Sequence, residues 1–224
     1  MTLDDRDGFA VFERVFDPGE MELLANELER ADVPRTKAGA RHLLCIDAVR
    51  RVANDRRLTD LAARFVGRGN VPFRATLFDK SASANWLIVW HQDTALPLHK
   101  RFDAAGWGSW SMKGGVLYAH APAPVLNTIV ALRLNLDDST ASNGPLRVLP
   151  GTHRLGVLTD DQVHDLATRT RPVDCLSRAG GVVAIRPLTV HASSKSLDDR
   201  TRRVLHIEYA ATLDLGSGIR LAVS

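Results

Sequence analysis

The run His91-Gln92-Asp93 carries the first chemistry of this chain. It closes a β-like stretch, NWLIVWH at 85–91. Residues two apart in a strand face the same side, so this imidazole and this carboxylate converge on one point. A second histidine, His191, ends another β-like run, VVAIRPLTVH. Arg202 follows at the entry to the last such run. Two histidines and one carboxylate on one face of a metal ion leave its other positions open, as in non-haem Fe(II) sites. Open positions suit a chelating co-substrate and O₂. An arginine deep in such a site offers two parallel hydrogen bonds to a carboxylate.

Elements must hold these groups together, and the sequence from residue 71 onward supplies them. Short β-rich runs recur at 72–79, 85–91, 115–120, 127–136, 146–149, 181–185 and 203–210. Turn-forming clusters separate them, among them Asp137-Asp138-Ser139-Thr140, Asn143-Gly144-Pro145 and Gly180-Gly181. This texture predicts an antiparallel sandwich or barrel. No GxGxxG, P-loop or βαβ rhythm argues for a nucleotide-binding α/β fold. The N-terminal quarter reads as helical. Asp17 is a good cap, Pro18 suits the first helical position, and Glu20 completes a capping box. Phe16 and Met21 fit a hydrophobic staple, with Leu24 and Leu28 continuing the stripe. Leu58, Leu61, Ala62 and Phe65 mark a second helix that stops at Gly67. The expectation is one domain of 224 residues: a helical packing region at 1–70 and a β core at 71–211.

Composition excludes other classes. Apolar residues at 45% and charged residues at 25% are ordinary for a globular chain, not a disordered or collagen-like one. No apolar run approaches the ~18 residues of a membrane span. The acidic start MTLDDRDGF lacks the layout of a signal peptide, so the expected location is the cytoplasm, away from membranes. Cys45 and Cys175 form no CxxC pair and read as two buried thiols. A net charge of +3, from 29 basic and 26 acidic residues, leaves no nucleic-acid footprint.

The motifs resemble those of the phytanoyl-CoA dioxygenase family of Fe(II)/2-oxoglutarate oxygenases. The resemblance runs through Asn85-Trp86 and Trp90-His91-Gln92-Asp93, then Leu134-Asn135-Leu136-Asp137-Asp138. It continues through Asn143-Gly144-Pro145-Leu146-Arg147-Val148-Leu149-Pro150-Gly151-Thr152-His153. It ends with His191-Ala192-Ser193 and Arg202-Arg203. It implies a double-stranded β-helix, the cupin-like jelly roll, with N-terminal helices packed outside. It implies an enzyme that uses Fe(II), 2-oxoglutarate and O₂ to hydroxylate a C–H bond of a small molecule, releasing succinate and CO₂. His91, Asp93 and His191 would be the metal ligands and catalytic centre. The retained carboxylate Asp93 favours hydroxylation over halogenation.

By the same resemblance Arg202 would pair with the distal carboxylate of 2-oxoglutarate, with Ser193 assisting. Strand alternation alone groups Arg202 with Val204, His206 and Glu208, and Arg203 with Leu205, Ile207 and Tyr209, without saying which set faces the pocket. A further co-substrate contact falls on Arg133, where the family's best-known members carry Trp; Arg133 could instead meet an anionic substrate. Lys37, Arg41 and Thr76 lie near other co-substrate positions. His153 reads as fixing a turn, His99 as structural or at the rim, and His206 as ordinary. The Gly-rich segment 101–115 suggests a lid or a packed loop, with Trp107 and Lys113 as substrate contacts. Lys100, Arg101 and Lys113 would favour an anionic substrate. Two other readings are a cupin-like metal isomerase or hydrolase, and a non-catalytic binding module; the open triad with its arginine argues against both.

Overall fold

The computed structural model describes residues 6–31, 33–36, 39–81 and 84–224. Helix α1 (Pro18–Arg30) begins where its cap predicts, with the Glu20 carboxylate accepting from the Asp17 N–H at 2.9 Å. Phe16, Met21, Leu24 and Leu28 are buried in one cluster, so staple and stripe face the same core. Helix α2 (Asp47–Ala53) follows two short strands, β2 (Arg35–Thr36) and β3 (Gly39–Arg41). Helix α3 (Arg56–Val66) is capped by Asp55, buries Leu58, Ala62 and Phe65, and stops at Gly67 with φ +89°.

These helices cover one face of a seven-stranded sheet. Its order is β1 (Phe9–Phe12), β12 (Val182–Ile185), β9 (Ile129–Asn135), β14 (Arg202–Ala210), β4 (Val71–Lys80), β3, β2. Alternation decides what each face sees. Val130, Leu132 and Leu134 of β9 and Leu205, Ile207 and Tyr209 of β14 pack against the helices. A four-stranded sheet lies on the other side: β11 (Val173–Cys175), β10 (Leu146–Val148), β13 (His191–Ser193), β5 (Ile88–His91). Ala131, Val183 and Ile185 join it to the large sheet through Leu146, Val148 and Cys175. Strands β6 (Ala95–Leu98), β8 (Val116–His120) and β7 (Gly108–Lys113) form a third, small sheet. Helices α4 (Ala123–Leu126) and α5 (Asp160–Arg169) complete the chain. The result is the expected jelly roll with antiparallel pairing throughout.

Several expectations need correction. The segment before residue 71 is not only helical packing, because it supplies β1, β2 and β3. Strand β1 pairs with β12 from Phe9↔Ile185 to Phe12↔Val182. The core does not stop at 211 either: Leu221 is fully buried, and Ser224 exchanges backbone hydrogen bonds with Phe73 and Ala75. Cys175 is buried, and burial pushes its thiol up to about 12, but Cys45 is exposed. Among the described residues no helix is long and apolar enough to cross a membrane.

The segment 101–115 is less open than its glycines suggest. Its second half is β7, paired to β8 through a turn at Gly114-Gly115. Trp107 and Trp110 each meet Phe102 edge-on at 5.1 Å, over a cluster with Leu98, Ala119 and Ile219. The aromatic faces are occupied by packing, which favours the packed segment over the lid.

Candidate metal centre and its cavity

Antiparallel pairing of β5 with β13 sets His91 directly opposite His191, and their rings lie 4.2 Å apart. Asp93 sits two residues beyond His91, its N–H bonded to the Pro187 carbonyl at 2.9 Å. His91 Nε2 is 3.7 Å from one Asp93 oxygen and His191 Nε2 is 3.5 Å from the other. One donor atom from each of the three lies within 4.8 Å of the others.

Backbone carbonyls orient both rings. His91 Nδ1 lies 2.8 Å from Val89 O, and His191 Nδ1 lies 2.9 Å from Thr189 O. Each Nδ1 therefore carries the proton and donates it, which leaves each Nε2 lone pair facing Asp93. Burial pushes His191 down to about 4 against the pull of Asp93, so its ring is neutral at pH 7. Burial opposes ionisation of Asp93, but His191 and His91 outweigh it and hold the carboxyl below its usual range. A neutral His191 ring and an ionised Asp93 are donor states that a divalent metal requires.

The surrounding turns fix this arrangement. Gln92, between the two ligands, points away from them. Its amide donates to Gly156 O and Leu188 O, and its oxygen accepts from the Leu158 N–H at 2.8 Å. Thr152 accepts from the Val190 N–H at 2.9 Å and so anchors the chain just before His191. Gly144 has φ +67°, and a Cβ there would stand 2.3 Å from Ser194 O and 3.0 Å from Lys80 Nζ. Only glycine lets the Asn143-Gly144 turn press this close to β13.

A cavity of about 430 Å³ opens over the triad, lined among others by Thr76, Phe78, Trp86, Arg133, Ser193 and His206. Arg133 is buried; its guanidinium meets His206 Nδ1 at 3.2 Å and covers the Phe78 ring at 5.2 Å. Burial brings the Arg133 guanidinium down to about 10 and pushes His206 well below its usual value, so His206 accepts the bond as a neutral ring. Behind Ser193 lies Lys80, 1% exposed, donating to Ser193 Oγ at 2.9 Å and to Ser194 O. Burial, then Arg202 and Arg133, bring the Lys80 ammonium down to about 8. Arg202 stands opposite Lys80 across β14 and β4 and donates from Nε to Asn143 O at 3.1 Å. It too is buried, and burial followed by Arg133 lowers it to about 10. None of these three cations forms an ion pair among the described residues.

Of the residues singled out from sequence, His91, Asp93, His191, Ser193, Arg133, Lys113, Arg41 and Thr76 line the cavity. Lys37 lies outside the described residues. Arg202 is on the cavity-facing side of β14, one layer behind Ser193 and Lys80. Arg203 faces away and pairs with Asp137 and Glu29. Trp107 does not line the cavity, because Phe102 and the cluster beneath it take up its ring. His206 is not an ordinary histidine; it is buried beside Arg133. Lys80 escaped the sequence reading although alternation on β4 puts it on one face with Arg74, Thr76 and Phe78.

Fold and site together define a jelly-roll metalloenzyme of the two-histidine, one-carboxylate type. The chain belongs to the phytanoyl-CoA dioxygenase (PhyH) family, whose profile matches residues 5–204. No match was found among curated protein sequences. HygX from Streptomyces hygroscopicus, solved with nickel and 2-oxoglutarate bound, is similar at TM-score 0.67 and 20% identity, over 92% of this chain and 84% of that one. EctD from S. alaskensis with bound Fe is similar at TM-score 0.69 and 23% identity, over 92% and 73%. SnoN, a non-heme alpha-ketoglutarate-dependent epimerase from nogalamycin biosynthesis, is similar at TM-score 0.63 and 22% identity, over 91% and 78%. At these identities the likeness is one of fold.

Proposed function

We propose that this chain is an Fe(II)- and 2-oxoglutarate-dependent dioxygenase that hydroxylates a C–H bond of a small molecule. The observation that carries this reading is a pairing of two features around one cavity. A two-histidine, one-carboxylate set faces it, and of three buried cations without acidic partners among the described residues Arg133 lines it while Lys80 and Arg202 stand behind Ser193. A buried charge lacking a partner is costly, so such a wall calls for an anion. 2-Oxoglutarate has the charge and the chelating end to satisfy both features. Fe(II), bound with 2-oxoglutarate and O₂, would supply the oxidising power, with succinate and CO₂ released and one oxygen atom delivered to substrate carbon.

The chain's own residues do the positioning. His91, Asp93 and His191 hold three adjacent positions, and the carbonyls of Val89 and Thr189 keep the rings from turning. Arg133 presents its guanidinium to the cavity, while Ser193, whose hydroxyl donates to Gly144 O and accepts from Lys80, lines it with Lys80 and Arg202 behind. Phe78, Trp86 and Ile88 give the cavity an apolar wall that limits water.

The test is anaerobic reconstitution with Fe(II) and 2-oxoglutarate, then admission of O₂ with a metabolite library. Succinate release coupled to a product one oxygen atom heavier is the expected result. Succinate release with a product of unchanged mass would indicate epimerisation instead. No 2-oxoglutarate consumption with any compound would count against the whole reading.

Lys80 adds a pH signature. Only its protonated form helps bind an anion, and that form is lost as pH rises through about 8. The Kd for 2-oxoglutarate is therefore expected to rise above pH 8, by up to about tenfold per unit while Lys80 must regain a proton on binding. Titration calorimetry across pH 7–10 reads this directly. Lys80→Met should bind more weakly at pH 7 and lose the dependence; a flat wild-type profile would remove Lys80 from the site.

A further inference from the structure

The cavity holds more positive charge than the metal set and the deep anion wall account for. Arg41, Arg74 and Lys113 also line it. Three elements bring them together. Arg41 of β3 pairs with Thr76 of β4, two residues from Arg74. His42, next to Arg41, meets the Lys113 carbonyl at 3.0 Å through Nε2, which ties the end of β3 to the β7–β8 turn. Arg74 and Lys113 both stand over the ring of buried Tyr118, at 5.5 Å and 5.1 Å.

Their partners differ. Arg74 is neutralised by an ion pair with buried Glu208 and also donates to Ala95 O. Neither Arg41 nor Lys113 has an acidic partner among the described residues. Burial first, then Arg41 and Arg74, lower the Lys113 ammonium against the pull of Asp93. Among the described residues Asp93 is the one carboxylate lining the cavity, and it faces the two histidines.

This cluster is separate from the deep wall. Arg133, His206, Thr76 and Arg41 form one row across β9, β14, β4 and β3. Three strand spacings put the Arg133 and Arg41 backbones roughly 14 Å apart. Exposure differs as well, since Arg133 is buried and Arg41 is open to solvent.

We propose that Arg41 and Lys113 form a second anion subsite at the solvent side of the cavity. It takes the carboxylate or phosphate of the molecule to be oxidised and holds that molecule over the triad. The inference rests on the dioxygenase reading for its chemistry, but its binding test does not. It also revises which basic residues act: Lys100 and Arg101 are exposed and do not line the cavity.

The test compares wild type with the double variant Arg41→Gln/Lys113→Gln, both loaded anaerobically with Fe(II) and 2-oxoglutarate. Benzoate, phenyl phosphate and neutral benzamide are titrated by calorimetry. At least one anion should bind wild type about tenfold tighter than benzamide, as two partly exposed charge pairs together allow. The tighter anion identifies carboxylate or phosphate as the preferred group. The double variant should lose the preference and keep its 2-oxoglutarate Kd. Equal binding of benzamide, no anion binding at millimolar concentration, or a preference kept in the variant would each overturn the subsite. A large rise in the 2-oxoglutarate Kd of the variant would overturn it too, assigning the cluster to the co-substrate. Failure of wild type to bind 2-oxoglutarate would strike the dioxygenase reading alone, because the three probes still report on Arg41 and Lys113.

Discussion

Replacing His91 or His191 with alanine is expected to abolish the weak visible absorption that Fe(II) and 2-oxoglutarate together give in the absence of O₂. The geometry explains the size of the effect. Three donor atoms lie within 4.8 Å of one another, and no other His, Cys, Asp or Glu of the described residues joins the group. Loss of one leaves two ligands, which cannot hold three adjacent positions on an ion. Losing a mere orienting partner of a ligand costs ~10–100-fold in metal affinity, so losing the ligand itself should cost at least ~100-fold. His91 is the cleaner position, being partly exposed, whereas His191 is buried among β-strands. A melting curve for each variant separates loss of metal from loss of fold. An undiminished absorption in both folded variants would remove the triad from the argument.

Arg202→Ala should raise the dissociation constant for 2-oxoglutarate by at least ~100-fold. Breaking a buried ion pair costs on the order of 3–5 kcal/mol, and each 1.4 kcal/mol is a factor of ten. The arginine is 3% exposed, lies one layer behind Ser193 and has no acidic partner among the described residues, so a carboxylate drawn into that layer would be its first counter-ion. Arg203→Ala is the control. Its guanidinium binds Asp137 and Glu29 on the helix side of the sheet. That change should lower the melting temperature and leave the co-substrate constant nearly unmoved. The reverse pattern in calorimetry would mean that the other face of β14 meets the co-substrate.

Much of this site was legible before any fold was seen, and the parts that were not have physical reasons. His91, Asp93 and His191 stand at strand ends, where residue type and motif spacing speak together. Alternation could divide Arg202 from Arg203 but not orient them. The helices decided it, by burying Leu205, Ile207 and Tyr209. Strands β1, β3 and β13 have four, three and three residues, too few for a period to register. Their pairing comes from partners distant in sequence, as β1 does from β12. Trp107 misled because a tryptophan in a Gly-rich stretch near a metal motif invites a functional role, while its true neighbour, Phe102, was only five residues away. Lys80 was hidden for the opposite reason. A strand-end lysine normally reaches solvent, but here the Asn143-Gly144 turn, the Trp86 ring and the end of β13 close it in.

Gln92 gives the middle position of the triad motif a consequence of its own. Two of its three hydrogen bonds join the ligand-bearing end of β5 to the loop at Gly156–Leu158, which leads directly into the cap of α5, and the third goes to Leu188 O. Ion binding at His91 and Asp93 would therefore be coupled to the ordering of that loop. Coupling free energies are reciprocal, so whatever steadies the loop tightens the ion, and the ion steadies the loop by the same factor. A residue that is not among the triad ligands thus would extend the centre's influence to the outer surface of the four-stranded sheet, where a contact on α5 could tune it.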